Sequence, residues 1–200
     1  MKVFGISDVG QKRQLNEDNF SVYQDERFVV AIVADGMGGA RAGEVASRMA
    51  CRTFMDAVLP EVESISAAPH DKTSHTLAVN RAIALACEKA NEEVFSLSSK
   101  DKTLSGMGTT IVGCVIIDRT LWAFHVGDSR VYHIDKNGVK QLTVDHSFVQ
   151  ALLDAGKITP TEAATHPNKN IIVRAVGIQK SVECDIVNMQ VEDGYYLLCS

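Results

Sequence analysis

Asp35 ends the apolar run "RFVVAIVAD" and is followed at once by Gly36, Met37, Gly38 and Gly39. A glycine-rich turn after a strand can cradle a phosphate with its backbone N–H groups. The nucleotide versions of that cradle fail here. A Walker loop has the glycine spacing of Gly38 and Gly43, but Glu44 stands where lysine is required. The dinucleotide pattern G-x-G-x-x-G begins at Gly36 and Gly38, yet Arg41 occupies its third glycine. Asp35 would also repel a bare pyrophosphate. The carboxylate makes sense if a cation lies between it and the phosphate. A strand end holds Asp35 rigidly, and the carbonyl of Gly36 can turn toward the same ion. Oxygen ligands of this kind suit Mg²⁺ or Mn²⁺.

One aspartate does not make such a site, and "RQLNED" supplies candidate companions in Glu17 and Asp18, with Arg13 upstream. Adjacent side chains on a strand point to opposite faces. At a strand entrance one of the pair can bind a metal while the other holds a water bound to it. Arg13 is a planar fork suited to phosphate oxygens. "HVGDSR" places Asp128 after a glycine at another strand end. Each piece also has an ordinary reading. "NED" and "GDS" are common turns, and glycine clusters serve turn geometry. His125 and His133 alternate with apolar residues and read as satisfied strand positions. Arg130 is as readily a structural ion pair as a substrate contact.

The elements that must position these residues follow from hydrophobic period. Residues 2–7 and 19–23 read as short strands, and 27–35 as a strand buried on both faces. From Gly43 the period becomes helical, with Ala46, Ala50, Phe54 and Val58 spaced by four and Pro60 as the stop. Residues 60–74 read as a loop. A second helix over 75–97 buries Ile83, Cys87, Ala90, Val94 and Leu97, and "SLSSKDKTLSG" reads as a polar loop. Strands follow at 108–117, 121–127, 130–134 and 139–143, with Asn137-Gly138 as a hairpin signal. Residues 146–166 are helical again. There Gly156 sits where a C-cap belongs, and Thr159-Pro160-Thr161-Glu162 reads as a capping box. Strands return at 171–176, 182–191 and 195–199. Helices beside closely spaced antiparallel strands indicate a layered α+β domain with two sheets.

Two hundred residues are ample for one core-bearing domain. Apolar residues make up 46% and charged residues 22%, which is ordinary globular composition. A net charge of −5 without a basic stripe argues against nucleic acid as a partner. The first residues, "MKVFGISDVG", have no apolar core of a signal peptide, and no run approaches a membrane span. Five scattered cysteines without C-x-x-C read as reduced thiols of a cytoplasmic protein.

Taken in order, "SDVGQKRQLNEDNF", "VVAIVADGMGG", "GMGTT", "HVGDSRVY", "LTVDHS", "HPNKNIIVRAVG" and "YYLLCS" resemble a bacterial PPM-type serine/threonine phosphatase, of the metal-dependent protein phosphatase 2C family. The resemblance covers essentially the whole chain. It implies a four-layer α-β-β-α sandwich of two antiparallel sheets flanked by helices. It implies two Mn²⁺ or Mg²⁺ ions at one end, and a third, looser ion. By resemblance Asp35 bridges both metals, Gly36 and Glu17 complete one metal's shell, and Asp18 orients water on the other. Arg13 would grip the substrate phosphate, and Asp128 would help hold the third ion. The 146–170 stretch resembles a flap that tunes substrate access. The implied activity is hydrolysis of phosphoserine and phosphothreonine in proteins by a metal-activated water, reversing a Ser/Thr kinase. No phosphoenzyme is implied, and no cysteine is followed by arginine six residues on, as a cysteine phosphatase requires.

Two departures from the family pattern stand out. Met37 occupies the position of a histidine general acid in eukaryotic relatives, and methionine cannot donate a proton. The family also continues past "YYLLCS" into an Asp-Gly turn and a later Asp-Asn that supply ligands to the first metal. Residues 1–200 are therefore expected to be a PPM domain lacking its C-terminal end, and inactive or nearly so by themselves. The alternative is a degenerate phosphatase that binds phosphoproteins without hydrolysing them. A histidine-rich metallophosphoesterase is disfavoured, because His125, His133, His146 and His166 fall in none of its motifs.

Overall fold

The computed structural model describes residues 1–11, 14–38, 42–68 and 72–200. Its frame is an antiparallel sheet in the order β1-β2-β4-β5-β8, with the short β3 also paired to β2. These strands are β1 (Asp18–Gln24), β2 (Phe28–Met37), β3 (Gly108–Thr109), β4 (Ile111–Ile117), β5 (Thr120–Val126) and β8 (Asp185–Gln190). A second sheet, in the order β7-β6-β9, comprises β6 (Arg130–Asp135), β7 (Gly138–Gln141) and β9 (Tyr195–Cys199).

Strand alternation sorts β2 into two cores. Phe28, Val30, Ile32 and Ala34 face helices α1 (Ala42–Ala67) and α2 (Lys72–Lys100), while Val29 and Ala31 face the smaller sheet. β4 and β5 divide in the same way, with Val115, Trp122 and Phe124 toward the helices and Val112, Cys114 and Leu121 between the sheets. Gly113 pairs with Phe124 across β4 and β5, and any Cβ at 113 would strike the Phe124 ring. That ring stacks on Phe54 of α1 at 4.9 Å between centroids. The fold is thus an α+β sandwich of two antiparallel sheets with flanking helices, and the described residues build a helix pair, a larger sheet and a smaller sheet. On the outer face of the smaller sheet, Tyr195 and Leu197 are exposed.

The helices are longer than the sequence pattern indicates. Pro60 lies inside α1, which continues to Ala67. Pro60 is exposed, whereas Val58 and Val62 beside it are wholly buried. A missing hydrogen bond on the solvent side is tolerated where buried neighbours hold the helix to its core. Most of the expected 60–74 loop is therefore helix, and much of "SLSSKDKTLSG" is the end of α2 with a short 3₁₀ turn. Residues 2–7 form no strand; Phe4 and Ile6 are exposed and no described strand pairs with them. Residues 171–176 also form no strand. They are tied by two single bridges, Ser147 to Ile172 and Thr109 to Val176. The 146–170 stretch carries two short helices, α3 (Phe148–Asp154) and α4 (Pro160–Thr165). Gly156 after α3 has φ +64°, and the Thr159/Glu162 capping box opens α4 as expected.

Candidate functional site

The end of the larger sheet gathers the acidic residues. In the β1–β2 ladder Asp18 stands directly opposite Asp35. Both share the face that looks between the sheets, continuing the line of Val29, Ala31 and Val33. Glu17 precedes β1, and its carbonyl accepts the Gly36 N–H at 3.1 Å. Asp18 takes its entry angle from Asn16, whose side chain accepts the Asp18 N–H at 2.9 Å. From the other sheet, the Ser200 hydroxyl just past β9 donates to Asp18 Oδ2 at 3.3 Å.

Backbone crowding makes the two glycines necessary here. A Cβ on Gly36 would collide with the Gly43 backbone and lie 2.7 Å from the Glu17 carbonyl oxygen. A Cβ on Gly43 would lie 2.9 Å from Glu17 Cδ. Glu17 therefore sits against the first turn of α1, where unsatisfied N–H groups and the helix dipole favour a carboxylate.

Asp35 is anchored by two threonines that sequence reading did not single out. Its N–H donates to Thr110 Oγ1 at 3.0 Å. Its carbonyl accepts from Thr110 N at 2.9 Å and from Thr109 Oγ1 at 2.9 Å. With the backbone so fixed, the Asp35 carboxylate has a defined origin. Thr110 Oγ1 also shares a 2.7 Å hydrogen bond with Ser129 Oγ. That link ties the Asp128 loop to Asp35. Gly127 at φ +112° packs on Thr110 and leaves no room for a Cβ. Asp128 is half-buried, and burial pushes its carboxyl above the ordinary 3.8.

Arg130 and the two strand histidines resolve as structural groups. Arg130 Nε and Nη2 bond both oxygens of Asp145, at 2.9 and 2.6 Å, and Nη1 donates to Tyr132. The bond to Asp145 raises the Arg130 pKa. His125 Nε2 meets the Val144 carbonyl at 2.7 Å, and His133 Nε2 the Asp193 carbonyl at 3.2 Å.

A second cluster lies two to three strands from Asp35. His125, His146 and Asp185 place one ligand atom each within 4.8 Å of one another, a spacing that could hold an ion. Arg174 fills that space in this structure. Its Nη1 is 2.6 Å from Asp185 Oδ1 and 3.0 Å from His146 Nε2. His146 Nδ1 accepts the Gly127 N–H at 3.0 Å, and its Nε2 lies 3.3 Å from Asp185 Oδ2. This is the arrangement of an ion-pair clasp at the base of the α3–α4 insert. The insert is closed there by Val173 N–H to His146 O and Phe148 N–H to Ile171 O.

Of the residues the sequence singles out, Glu17, Asp18, Asp35 and Gly36 come together at one end, with Asp128 one hydrogen-bond relay away. Arg13 lies outside the described residues. The donor set fits a hard divalent cation: it is all oxygen, from three acids and one carbonyl. Asp18 and Asp35, like charges directly opposite on a ladder, repel unless positive charge offsets them.

The sequence pattern of protein phosphatase 2C matches residues 9–164. The serine/threonine phosphatase Stp of Listeria monocytogenes serotype 4b is 39% identical over 197 residues, covering 97% of this chain and 74% of that protein. The crystal structure of a bacterial serine phosphatase superposes with a TM-score of 0.78 at 33% identity, over 96% of this chain and 74% of that one. The catalytic domain of the serine/threonine phosphatase PstP, solved with two manganese ions, matches at 0.67 and 33% identity, over 96% of this chain and 73% of that one. The two-sheet sandwich with flanking helices is shared with these solved phosphatases, and the chain belongs to the protein phosphatase 2C family.

Proposed function

We propose that this chain carries the catalytic site of a metal-dependent protein serine/threonine phosphatase, acting on phosphorylated proteins and opposing a Ser/Thr kinase. The observation that carries the reading is the Asp18–Asp35 pair, held with Glu17 and the Gly36 carbonyl against the first turn of α1. Asp35, Glu17 and Gly36 would hold Mn²⁺ or Mg²⁺. Asp18 would orient the attacking water, and Asp128 would hold a further, weaker ion. Two ions are the expected complement of the central site. When bound, they supply Lewis acidity to the phosphoester and to the attacking water.

The chain's own residues do the rest. Thr109 and Thr110 keep Asp35 from swinging away as charge shifts during the reaction. Arg13 is assigned to the phosphate oxygens, where a guanidinium fork offsets charge on the transferring group. Met37 carries no titratable proton, so the leaving serine or threonine oxygen draws its proton from solvent at the site rather than from this side chain. Residues 108–110 and 127–129 form the floor on which these groups stand.

Phosphatase activity against a phosphothreonine peptide, with Mn²⁺ titrated in, tests the reading. Because the chain spans 74% of its Listeria relative, both residues 1–200 and a version extended to that length belong in the assay. Metal-dependent phosphate release by the extended version, little or none by residues 1–200, and its disappearance in Asp35→Ala of the extended version are the expected results. Phosphopeptide binding that survives chelation, with no hydrolysis in either version, would make the domain a recognition module instead.

A further inference from the structure

Beyond Gly36, β2 carries Met37, which pairs with Gly108 of β3 directly after the Gly36–Thr109 pair. Met37 forms one wall of a cavity of about 510 Å³ whose other walls come from residues 172–183, the strap returning from the α3–α4 insert to β8. Pockets that hold small ligands run from about 300 to 1,000 Å³. The cavity therefore begins one residue beyond Gly36.

The strap is fixed in place. Thr109 and Val176 exchange two backbone hydrogen bonds, at 3.0 and 2.9 Å. Asn91 of α2, wholly buried, accepts from Gly177 N at 2.7 Å and donates to the Gln179 carbonyl at 2.9 Å. Gly108 lacks the Cβ that would meet Ile178 Cδ1 at 2.8 Å. Preformed walls of this kind cost little ordering on binding.

Its chemistry is apolar with one uncommitted charge. Ile172, Ala175, Ile178 and Val182 line it, and its charged lining residues are Arg174 and Glu183. Arg174 is spent on Asp185 at 2.6 Å and on the Glu183 carbonyl at 3.2 Å. Glu183 is exposed and its carboxylate has no ion pair among the described residues. An apolar wall with a free carboxylate at the rim matches an aliphatic stem ending in a cation. The same carboxylate repels a phosphate and would direct it toward the metal end.

We propose that this cavity is the subsite for a lysine or arginine side chain flanking the phosphorylated residue of the protein substrate. This rests on the phosphatase reading above and names a specificity residue, Glu183, outside the metal site.

The test is binding of fluorescent phosphothreonine peptides in Mn²⁺, read by anisotropy, with lysine, leucine or glutamate at the flanking positions. The lysine peptide is expected to bind about two- to fivefold more tightly than the glutamate peptide, the range for a solvent-accessible pair. Glu183→Lys should reverse that order. Ile178→Ser should weaken the lysine and leucine peptides alike. Both positions are exposed, and unchanged melting temperatures check that the variants fold. A lysine-to-glutamate ratio that is the same in Glu183→Lys as in the parent overturns the subsite while leaving the phosphatase reading intact. Failure of every phosphopeptide to bind overturns both.

Discussion

Single residues decide whether Asp35 can work, and the telling ones are not its acidic companions. Thr110 is almost wholly buried and accepts the Asp35 N–H while sharing a hydrogen bond with Ser129. Thr110→Val keeps the shape and removes the oxygen. Two polar groups then lose their partner, at about 1–3 kcal/mol each. We expect a loss of about 2 kcal/mol in urea unfolding and a Mn²⁺ affinity about tenfold weaker, as supporting groups behind a metal ligand give. A variant that binds Mn²⁺ as the parent does would mean that Asp35 is positioned by other means. Asp35 stood out in the sequence because a carboxylate at a strand end before glycine is a local pattern. The threonine anchor was not, since it joins residues 75 positions apart and only the fold brings them together.

Among the elements, legibility tracked how local the stabilising interactions are. The Thr159/Glu162 capping box is complete within four residues, and its hydrogen bonds appear as expected, with Thr159 N–H to Glu162 Oε2 at 2.7 Å. Thr159→Ala should cost about 1 kcal/mol, felt in α4 alone. Faster amide exchange over Pro160–Thr165 with an unchanged midpoint for global unfolding would be the signature. A fall in global stability would mean that α4 is part of the cooperative core. Pro60 misled for the opposite reason. Its cost is local, but the burial that outweighs it comes from α1 packing on α2 and the larger sheet. The β-branched run at 171–176 misled likewise: it has strand composition, yet two single bridges hold it, and Asn91 ties the chain just beyond it at Gly177. Strand propensity describes a half-buried surface and does not by itself supply a ladder.

At the scale of the whole molecule, charge and burial set how the chain responds to its surroundings. His125 and His146 are pushed below the ordinary 6.5 chiefly by burial, and His146 also by the neighbouring His125. The folded chain keeps them neutral where the unfolded chain would take up protons. Stability is therefore full above about pH 6.5 and falls as pH drops below it, until the folded forms also titrate. Asp185 acts in the same sense below 3.8: burial opposes its ionisation, but its bonds to Arg174 and His146 prevail and lower it. Asp128, raised by burial, acts in the opposite sense as pH rises past 3.8. Urea midpoints taken from pH 8 to pH 5 in chelator should decline, and His146→Gln should flatten that decline. The buried thiols respond in kind. Cys51 and Cys114 are pushed up to about 12 by burial, so the native chain should leave both unalkylated while the half-buried Cys184 and Cys199 react first. Among the described residues no helix is long and apolar enough to cross a membrane. The central claim is that the end of the larger sheet binds a catalytic divalent ion through Asp35. Calorimetric titration of Mn²⁺ into the chain and into Asp35→Asn tests it most directly. Saturable binding that is lost in the variant, with its melting temperature unchanged in chelator, is the predicted result; equal Mn²⁺ binding by both would contradict it.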